Sequence, residues 1–189
     1  MIVTRAFERV LFDSSAIITF VEAGEIVRLG GYVGAKGAIT LDVEQELLRL
    51  SQTRFPGLIA LERLRWPPGD ALTLPPHLLQ EAEDIRRVER APGAHEDKDR
   101  GEVSTALMTQ HLGNAVAVME DAFGKKICAR RKVPRMSTAQ LAAEMVAGDV
   151  FDLESGFVVY DRATPDHIGR SEFESAVAEA RRELSKPVS

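Results

Sequence analysis

Residues 115–121 read Ala115-Val116-Ala117-Val118-Met119-Glu120-Asp121, five apolar residues followed directly by two carboxylates. A short apolar run bounded by polar residues is typical of a strand buried on both faces of a parallel sheet. The stretch Val10-Leu11-Phe12-Asp13 repeats the pattern near the start of the chain. We therefore expect two buried strands that each end beside an aspartate.

Helical spacing of apolar residues separates these strands. The pattern predicts helices near residues 15–21, 42–52, 58–64, 77–90, 101–111, 123–131, 138–147 and 171–184. Shorter strands are expected at 38–40, 72–74, 133–136 and 157–160, and the glycine-rich stretch 30–37 is expected to be a flexible turn. Strands that alternate with helices favour an α/β fold with three layers, α/β/α, around a central, mostly parallel twisted sheet of four or five strands.

Composition excludes several classes of protein. The chain has 189 residues and a formal net charge of -5, so it is not a histone-like binder that holds nucleic acid by bulk attraction. Its single cysteine, Cys128, excludes an intrachain disulfide and indicates a reducing compartment, the cytosol. We expect no membrane association, because no apolar run approaches the roughly 20 residues that span a bilayer and residues 1–10 do not resemble a signal peptide.

Four acidic residues are candidates for one site. Asp13 and Asp121 follow the two buried strands, and Glu46 and Glu102 lie on predicted helices. Sites in open α/β sheets form outside the carboxyl ends of the strands. Four carboxylates that converge there would repel each other unless a hard cation such as Mg²⁺ or Mn²⁺ were bound. Such a site suits hydrolysis of a phosphodiester, because the metal lowers the pKa of its bound water and stabilises charge on the attacked phosphate.

Each of these carboxylates also has a purely structural interpretation. Asp13 alone is equally well explained as a helix N-cap, and Glu102 in a first helical turn suits the helix dipole. Glu46 alone fits a solvent-facing position, and Asp121 fits a turn. Composition and periodicity permit the four residues to meet but do not require it.

A basic run follows Asp121 directly. Residues 122–136 contain six cations and no acidic residue, namely Lys125, Lys126, Arg130, Arg131, Lys132 and Arg135. A phosphate-binding surface beside an acidic pocket is what a nuclease needs, because the charge of the substrate must be met outside the pocket. A solvated helix face, or a surface for an acidic partner, is the alternative.

The ordered motifs resemble those of PIN-domain proteins, a Mg²⁺-dependent ribonuclease fold that includes the VapC-like toxins of toxin–antitoxin pairs. The resemblance lies in residues 10–15 (VLFDSS), 39–47 (ITLDVEQEL), 99–107 (DRGEVSTAL) and 116–121 (VAVMED), and it covers roughly residues 9–147. Met119 and Glu120 depart from the family pattern, in which a polar residue and an aspartate or asparagine are usual. The order of the four motifs carries the resemblance, since each is weak alone.

The resemblance implies a set of roles for this chain. It implies a Mg²⁺- or Mn²⁺-dependent endoribonuclease with an RNA substrate and, if the protein is a toxin, an antitoxin partner. The implied catalytic metal ligands, direct or through water, are Asp13, Glu46, Glu102 and Asp121, with Ser15 and Thr138 as auxiliary residues. The residues expected to orient the RNA are Lys125, Lys126, Arg130, Arg131 and Lys132.

Residues 148–189 extend beyond the family core, so we predict a PIN-like domain over 1–147 and a C-terminal extension over 148–189. The last helix of the extension places Phe173, Val177, Ala180 and Leu184 on one side. This side is expected to pack on the core, to form a homodimer, or to bind a partner. The last option defines the alternative function, a non-catalytic PIN-like interaction protein.

Overall fold

Parallel strands form the centre of the molecule. The computed structural model describes residues 2–67, 69–89, 99–164 and 169–187. Within these ranges the strands are β1 (Arg9–Phe12), β2 (Gly37–Ala38), β3 (Ala115–Val118) and β4 (Arg135–Met136), in the order β2-β1-β3-β4. All three pairings are parallel. The two apolar runs are therefore strands, as the sequence predicts, and the structure places them at the centre of the sheet.

Helices precede and follow these strands along the chain. They are α1 (Ser14–Glu22), α2 (Ile26–Val33), α3 (Leu41–Thr53), α4 (Ile59–Leu64), α5 (Pro76–Glu89), α6 (Arg100–Leu112), α7 (Ala122–Arg131), α8 (Thr138–Ala147), α9 (Leu153–Ala163) and α10 (Arg170–Ser185). Helices α1, α3, α7 and α8 each begin within a few residues of the end of a strand. Their N-termini therefore lie at the carboxyl edge of the sheet.

The sheet is buried on both faces. Val10 and Phe12 belong to one apolar core, together with residues of α1, α2, α3, α8, α9 and α10. Leu11, between them, belongs to a second core with residues of α5, α6 and α7. Alternation along one strand places helices on both faces, because successive side chains of a strand point in opposite directions. The predicted three-layer α/β/α architecture is confirmed, with four strands among the described residues.

The strand predicted at 157–160 is wrong, because these residues lie inside α9. Asp152 caps this helix by accepting a hydrogen bond of 2.7 Å from the backbone N–H of Ser155. Buried residues recur at helical spacing, at Gly156, Val159, Tyr160 and Ala163. A short apolar run does not by itself distinguish a strand from a buried helix face, and the surrounding spacing decides for a helix.

Two further expectations need correction. The glycine-rich stretch 30–37 is not a single turn, because Gly30 and Gly31 lie inside α2. A Cβ on Gly30 would approach Trp66 Cδ1 to 3.2 Å, so a glycine permits the indole to pack against this helix. At 72–74 the expected strand is reduced to one parallel bridge between Thr40 and Leu72.

The residues after 147 contribute to the first core. Val159 of α9 and Phe173 and Val177 of α10 belong to the same apolar cluster as Val10 and Phe12. The apolar side of α10 therefore packs within this chain.

No helix among the described residues is both long enough and apolar enough to cross a membrane.

Candidate functional site

Asp13 stands at the carboxyl edge of the sheet, between β1 and α1. Its backbone N–H donates to the carbonyl of Val118, so the residue stays next to the end of β3. Its Oδ1 accepts a hydrogen bond of 2.8 Å from the N–H of Ala16, which makes it the N-cap of α1. Its Oδ2 accepts from the hydroxyl of Ser15 at 3.0 Å and from the N–H of Glu120 at 3.4 Å.

Burial governs the protonation of Asp13. The side chain is only 2% exposed, and this burial raises its pKa to about 7. Hydrogen bonds from Ala16, Ser15 and the backbone of Glu120 oppose the rise, and the charge of Glu120 adds to it. The structural interpretation of Asp13 as an N-cap is thus correct, and the same carboxylate is also held in a site where its negative charge is costly.

Glu102 lies in the first turn of α6, at the same edge of the sheet. Its pKa is raised to about 7, mainly by burial and further by the negative charges of Glu46, Asp13 and Asp121, while its own backbone N–H opposes the rise. These are the other three carboxylates that the sequence singles out. The fold therefore brings Asp13, Glu46 and Asp121 within electrostatic reach of Glu102.

A glycine permits Glu46 to approach this cluster. Glu46 projects from α3, and a Cβ added to Gly101 would lie 3.1 Å from its Oε2 and 3.2 Å from Val43 Cγ2. A side chain at position 101 would therefore crowd the side chains of Glu46 and Val43 on α3. The absence of a side chain at position 101 lets the carboxylate of Glu46 sit beside the first turn of α6, next to Glu102.

Asp121 caps α7 at the end of β3. Its Oδ1 accepts a hydrogen bond of 2.6 Å from the N–H of Phe123, and the residue is exposed. One turn further, a Cβ on Gly124 would lie 3.3 Å from the Cβ of Glu102 and would collide with the sulfur of Met119. The start of α7 thus packs directly against Glu102, which places Asp121 beside the cluster.

Glu120 is a site residue that the sequence analysis does not select. One of its carboxylate oxygens accepts from the backbone N–H of Thr138, and the other lies 3.4 Å from the ammonium of Lys125. With its own N–H directed at Asp13, Glu120 links β3, α7 and α8 around the buried aspartate. The sequence did offer a sign of this role, because Glu120 stands where the family usually has an aspartate or asparagine, and its longer side chain reaches further across the carboxyl edge of the sheet.

The two predicted auxiliary residues lie near Asp13 but differ in their contacts. Ser15 donates directly to the Asp13 carboxylate. Thr138 is fully buried, its N–H binds Glu120, and its hydroxyl makes no hydrogen bond with any described residue. Ser137, rather than Thr138, caps α8, in a reciprocal capping box with Gln140.

The basic run does not form one continuous surface. Arg131 points toward α5 and α6, where its guanidinium pairs with Glu81 and donates to Gln110 at 2.8 Å. Lys125 pairs with Glu120 at the carboxyl edge. Lys126, Arg130 and Lys132 are exposed. Arg131 is therefore bound to other side chains of this protein. The other four predicted RNA-binding cations lie on α7 or directly after it, at Lys125, Lys126, Arg130 and Lys132.

The donor set fits a hard divalent cation in type, since every candidate ligand is a carboxylate oxygen. Among the residues that the structure describes, no three His, Cys, Asp or Glu side chains are grouped closely enough to hold a metal ion as they stand. The charges of Asp13, Glu46 and Asp121 therefore act on Glu102, but the described carboxylates do not form a coordination sphere. Exposed Asp121 and half-buried Glu46 are the members with room to turn inward.

Comparisons with known proteins identify no relative of this chain. No protein-family model, no curated protein and no solved structure matches it. The resemblance to PIN-domain proteins therefore stays a prediction from the sequence motifs.

Proposed function

We propose that this protein is a Mg²⁺- or Mn²⁺-dependent ribonuclease of the PIN-domain type, which hydrolyses RNA phosphodiester bonds. One observation carries the proposal: the pKa of Glu102 is raised by the charges of Glu46, Asp13 and Asp121 in addition to burial. Carboxylates from three other segments thus add to the free-energy cost of ionising Glu102 at the carboxyl edge. A bound divalent cation offsets such a cost.

The residues that would hold the cation are Asp13, Glu46, Glu102 and Asp121, directly or through water. Side-chain rotations of Glu46 and Asp121 would complete the ligand set around Asp13 and Glu102. When bound, Mg²⁺ or Mn²⁺ lowers the pKa of water and stabilises negative charge on the phosphate under attack. The remaining tasks of orienting the ligands and binding the RNA fall to this chain's own side chains and helix ends.

The surroundings of Asp13 support the proposal. Ser15 and the N–H of Glu120 fix the Oδ2 of Asp13, which keeps the carboxylate from rotating. Helices α1, α3, α7 and α8 direct their N-termini toward the carboxyl edge. The partial positive charge of helix N-termini favours a phosphate group there. Lys125, beside Glu120, adds a full positive charge at the same edge.

The alternative, a non-catalytic protein that binds a partner through α10, loses its main support. That alternative depends on a free apolar side of α10, but Phe173 and Ala180 are fully buried and Val177 is 5% exposed. These residues complete the core of this chain.

Cleavage of a mixed-sequence single-stranded RNA by Asp13→Asn and Asp121→Asn tests the proposal. We expect each variant to lose activity by about 100-fold or more in Mn²⁺ or Mg²⁺, because even changes outside the metal ligands cost 10- to 100-fold. Both asparagines keep an oxygen that can cap the helix, so folding should persist. Wild type in EDTA should be inactive.

Asp152→Asn is the matched control, since Asp152 also caps a helix but lies at the start of α9, outside the cluster. It should cleave RNA like wild type. If the protein is a toxin, expression of wild type should also arrest growth while the Asp13→Asn variant should not. Metal-dependent cleavage at the wild-type rate by both cluster variants would refute the proposal.

A further inference from the structure

An open groove of about 500 Å³ runs beside β4, the strand at one edge of the sheet. Helix α7 forms one wall, and the N-terminal residues Ile2 and Phe7 contribute the other. The floor includes Val133, which is buried, and Pro134. The groove is therefore partly apolar and extends along the outer edge of the sheet.

The charge of this groove has one sign. Lys125, Lys132 and Arg135 line it, and no acidic residue is among its described lining residues. Lys132 and Arg135 form no ion pair with any residue in the described ranges. Two of the three cations thus face the groove without a partner, in a protein with a net charge of -5. An anionic occupant is complementary to such a surface.

Lys125 connects the groove to the carboxylate cluster. Its ammonium lies 3.4 Å from Glu120, whose backbone N–H in turn donates to Asp13. Arg135 begins β4, which runs toward the same carboxyl edge. A polyanion positioned with one phosphate at the carboxylates can therefore place its neighbouring phosphates along Lys125, Arg135 and Lys132.

The apolar part of the groove favours single strands over duplexes. Phe7 and Ile2 are half-buried against the first core and leave apolar surface at the groove. Bases of a single strand have free faces that pack on aromatic and apolar side chains, whereas a duplex hides these faces in its stack. An acidic peptide would pair with the cations but has no planar base to stack on Phe7.

We propose that this groove binds the segment of a single-stranded nucleic acid that flanks the scissile phosphate, with its phosphates on Lys125, Arg135 and Lys132 and a base against Phe7. The proposal rests on the proposed function, which places the scissile phosphate at the carboxylates. It adds that the substrate is single-stranded. It also separates Arg135 from Arg131, because Arg131 is committed to Glu81.

Binding measured without metal tests the groove independently of catalysis. We would follow the fluorescence anisotropy of a short labelled single-stranded RNA in EDTA, at several salt concentrations. The double variant Lys132→Gln/Arg135→Gln should bind more weakly, and the slope of log K against log salt should become shallower by about 1.4, since each contact to a single strand contributes about 0.7. Lys36→Gln, at the opposite edge of the sheet beside β2, is the matched control and should leave the slope unchanged.

Two further arms identify the occupant. Phe7→Leu keeps an apolar side chain and should weaken binding by roughly fivefold with an unchanged salt slope, because it removes a ring on which a base stacks. Single-stranded DNA of the same sequence should compete for the groove through the same phosphates, and duplex RNA should compete poorly. Wild-type affinity and slope in the double variant, duplex binding as tight as single-strand binding, or displacement by a polyglutamate peptide alone would overturn the proposal.

The two proposals fail separately. Tight, salt-dependent binding in EDTA together with no cleavage in Mn²⁺ would support the groove and contradict the ribonuclease. Cleavage without any effect of the double variant on binding would contradict the groove and leave the ribonuclease standing.

Discussion

Glu144 is a buried carboxylate on α8 that ties together three distant parts of the chain. It is 0% exposed, and its Oε1 accepts from the hydroxyl of Thr4 at 2.6 Å and from that of Tyr32 at 2.7 Å. The backbone N–H of Thr4 donates to both carboxylate oxygens, at 2.9 and 3.0 Å. Through these bonds Glu144 anchors the N-terminal segment and α2 to α8.

Burial raises the pKa of Glu144, although the bonds from Thr4 and Tyr32 and the charge of Arg5 oppose the rise. The folded protein therefore binds the carboxyl proton of Glu144 more tightly than the unfolded chain does, in which glutamates have a pKa of about 4.3. The resulting stabilisation is complete below that pH and is lost as pH rises through the folded pKa.

Replacing Glu144 by Gln should flatten this dependence. Gln is neutral at every pH, so the free energy of unfolding of Glu144→Gln should fall less than that of wild type between pH 5 and pH 9. Urea unfolding in EDTA over this range measures the difference, and Glu8→Gln, at an exposed position, is the control. Parallel pH curves for wild type and Glu144→Gln would contradict the account.

At the scale of residues, the sequence predicts which acidic residues follow the strands better than it predicts the contacts that their side chains make. Asp13 and Asp121 were identifiable because each lies within three residues of the end of an apolar strand, and strand ends in a parallel sheet share an edge. Glu120 was not selected, because its contact with Thr138 joins positions that are 18 residues apart in the chain. Such distant partners depend on packing that local spacing does not encode.

At the scale of elements, α10 shows how the C-terminal residues join the core. The ring of Phe173 lies 4.7 Å from that of Tyr160, centroid to centroid, and 5.8 Å from that of Phe157. A Cβ on Gly156 would lie 3.0 Å from Phe173 Cζ, so α9 and α10 approach closely at this point. Arg5 in turn donates to the carbonyl of Glu183 at 2.7 Å, which satisfies the end of α10.

Phe173→Ala should therefore destabilise the whole protein. A fully buried phenylalanine contributes about 3–5 kcal/mol relative to alanine. Urea denaturation followed by circular dichroism should show one cooperative transition at a lower midpoint, because α10 shares its core with the sheet. The exposed neighbour Glu172→Ala should change stability by no more than about 0.5 kcal/mol.

An unchanged midpoint, or a separate early transition that leaves the rest of the signal intact, would show instead that residues 148–189 form an independent unit. This measurement therefore also tests the predicted division of the chain at residue 147.

Elements with a long or strongly patterned signal were predictable, whereas the short apolar runs gave mixed results: β2 and β4 overlap the strands predicted at 38–40 and 133–136, but the strands predicted at 72–74 and 157–160 are not formed. Helix α8 matches its predicted range, and β1 and β3 coincide with the two apolar runs. The apolar run at 157–160 is helical because Asp152 caps the segment and Gly156 lets it pack on Val146. The glycines of α2 are explained by the close approach of Trp66, a contact between residues far apart in sequence.

At the scale of the whole molecule, the parallel sheet explains why the candidate site exists at all. Every strand ends at the same edge, and the helices that follow them begin there, so carboxylates and helix N-termini accumulate at one place. Although the net charge is -5, the charges are unevenly distributed, with an acidic cluster at this edge and a cationic groove along β4. A phosphodiester backbone is complementary to the groove, and a divalent cation is complementary to the cluster.

The anomalous diffraction of crystals soaked in Mn²⁺ tests this account most directly. We predict one strong peak at the carboxyl edge, with carboxylate oxygens of Asp13 and of at least two among Glu46, Glu102 and Asp121 within about 2.1–2.3 Å, as expected for a small hard cation. Asp121 and Glu46 should have rotated toward Asp13. The absence of any peak at this edge in saturating Mn²⁺, with Asp13 still bonded only to Ser15, Ala16 and Glu120, would contradict the account.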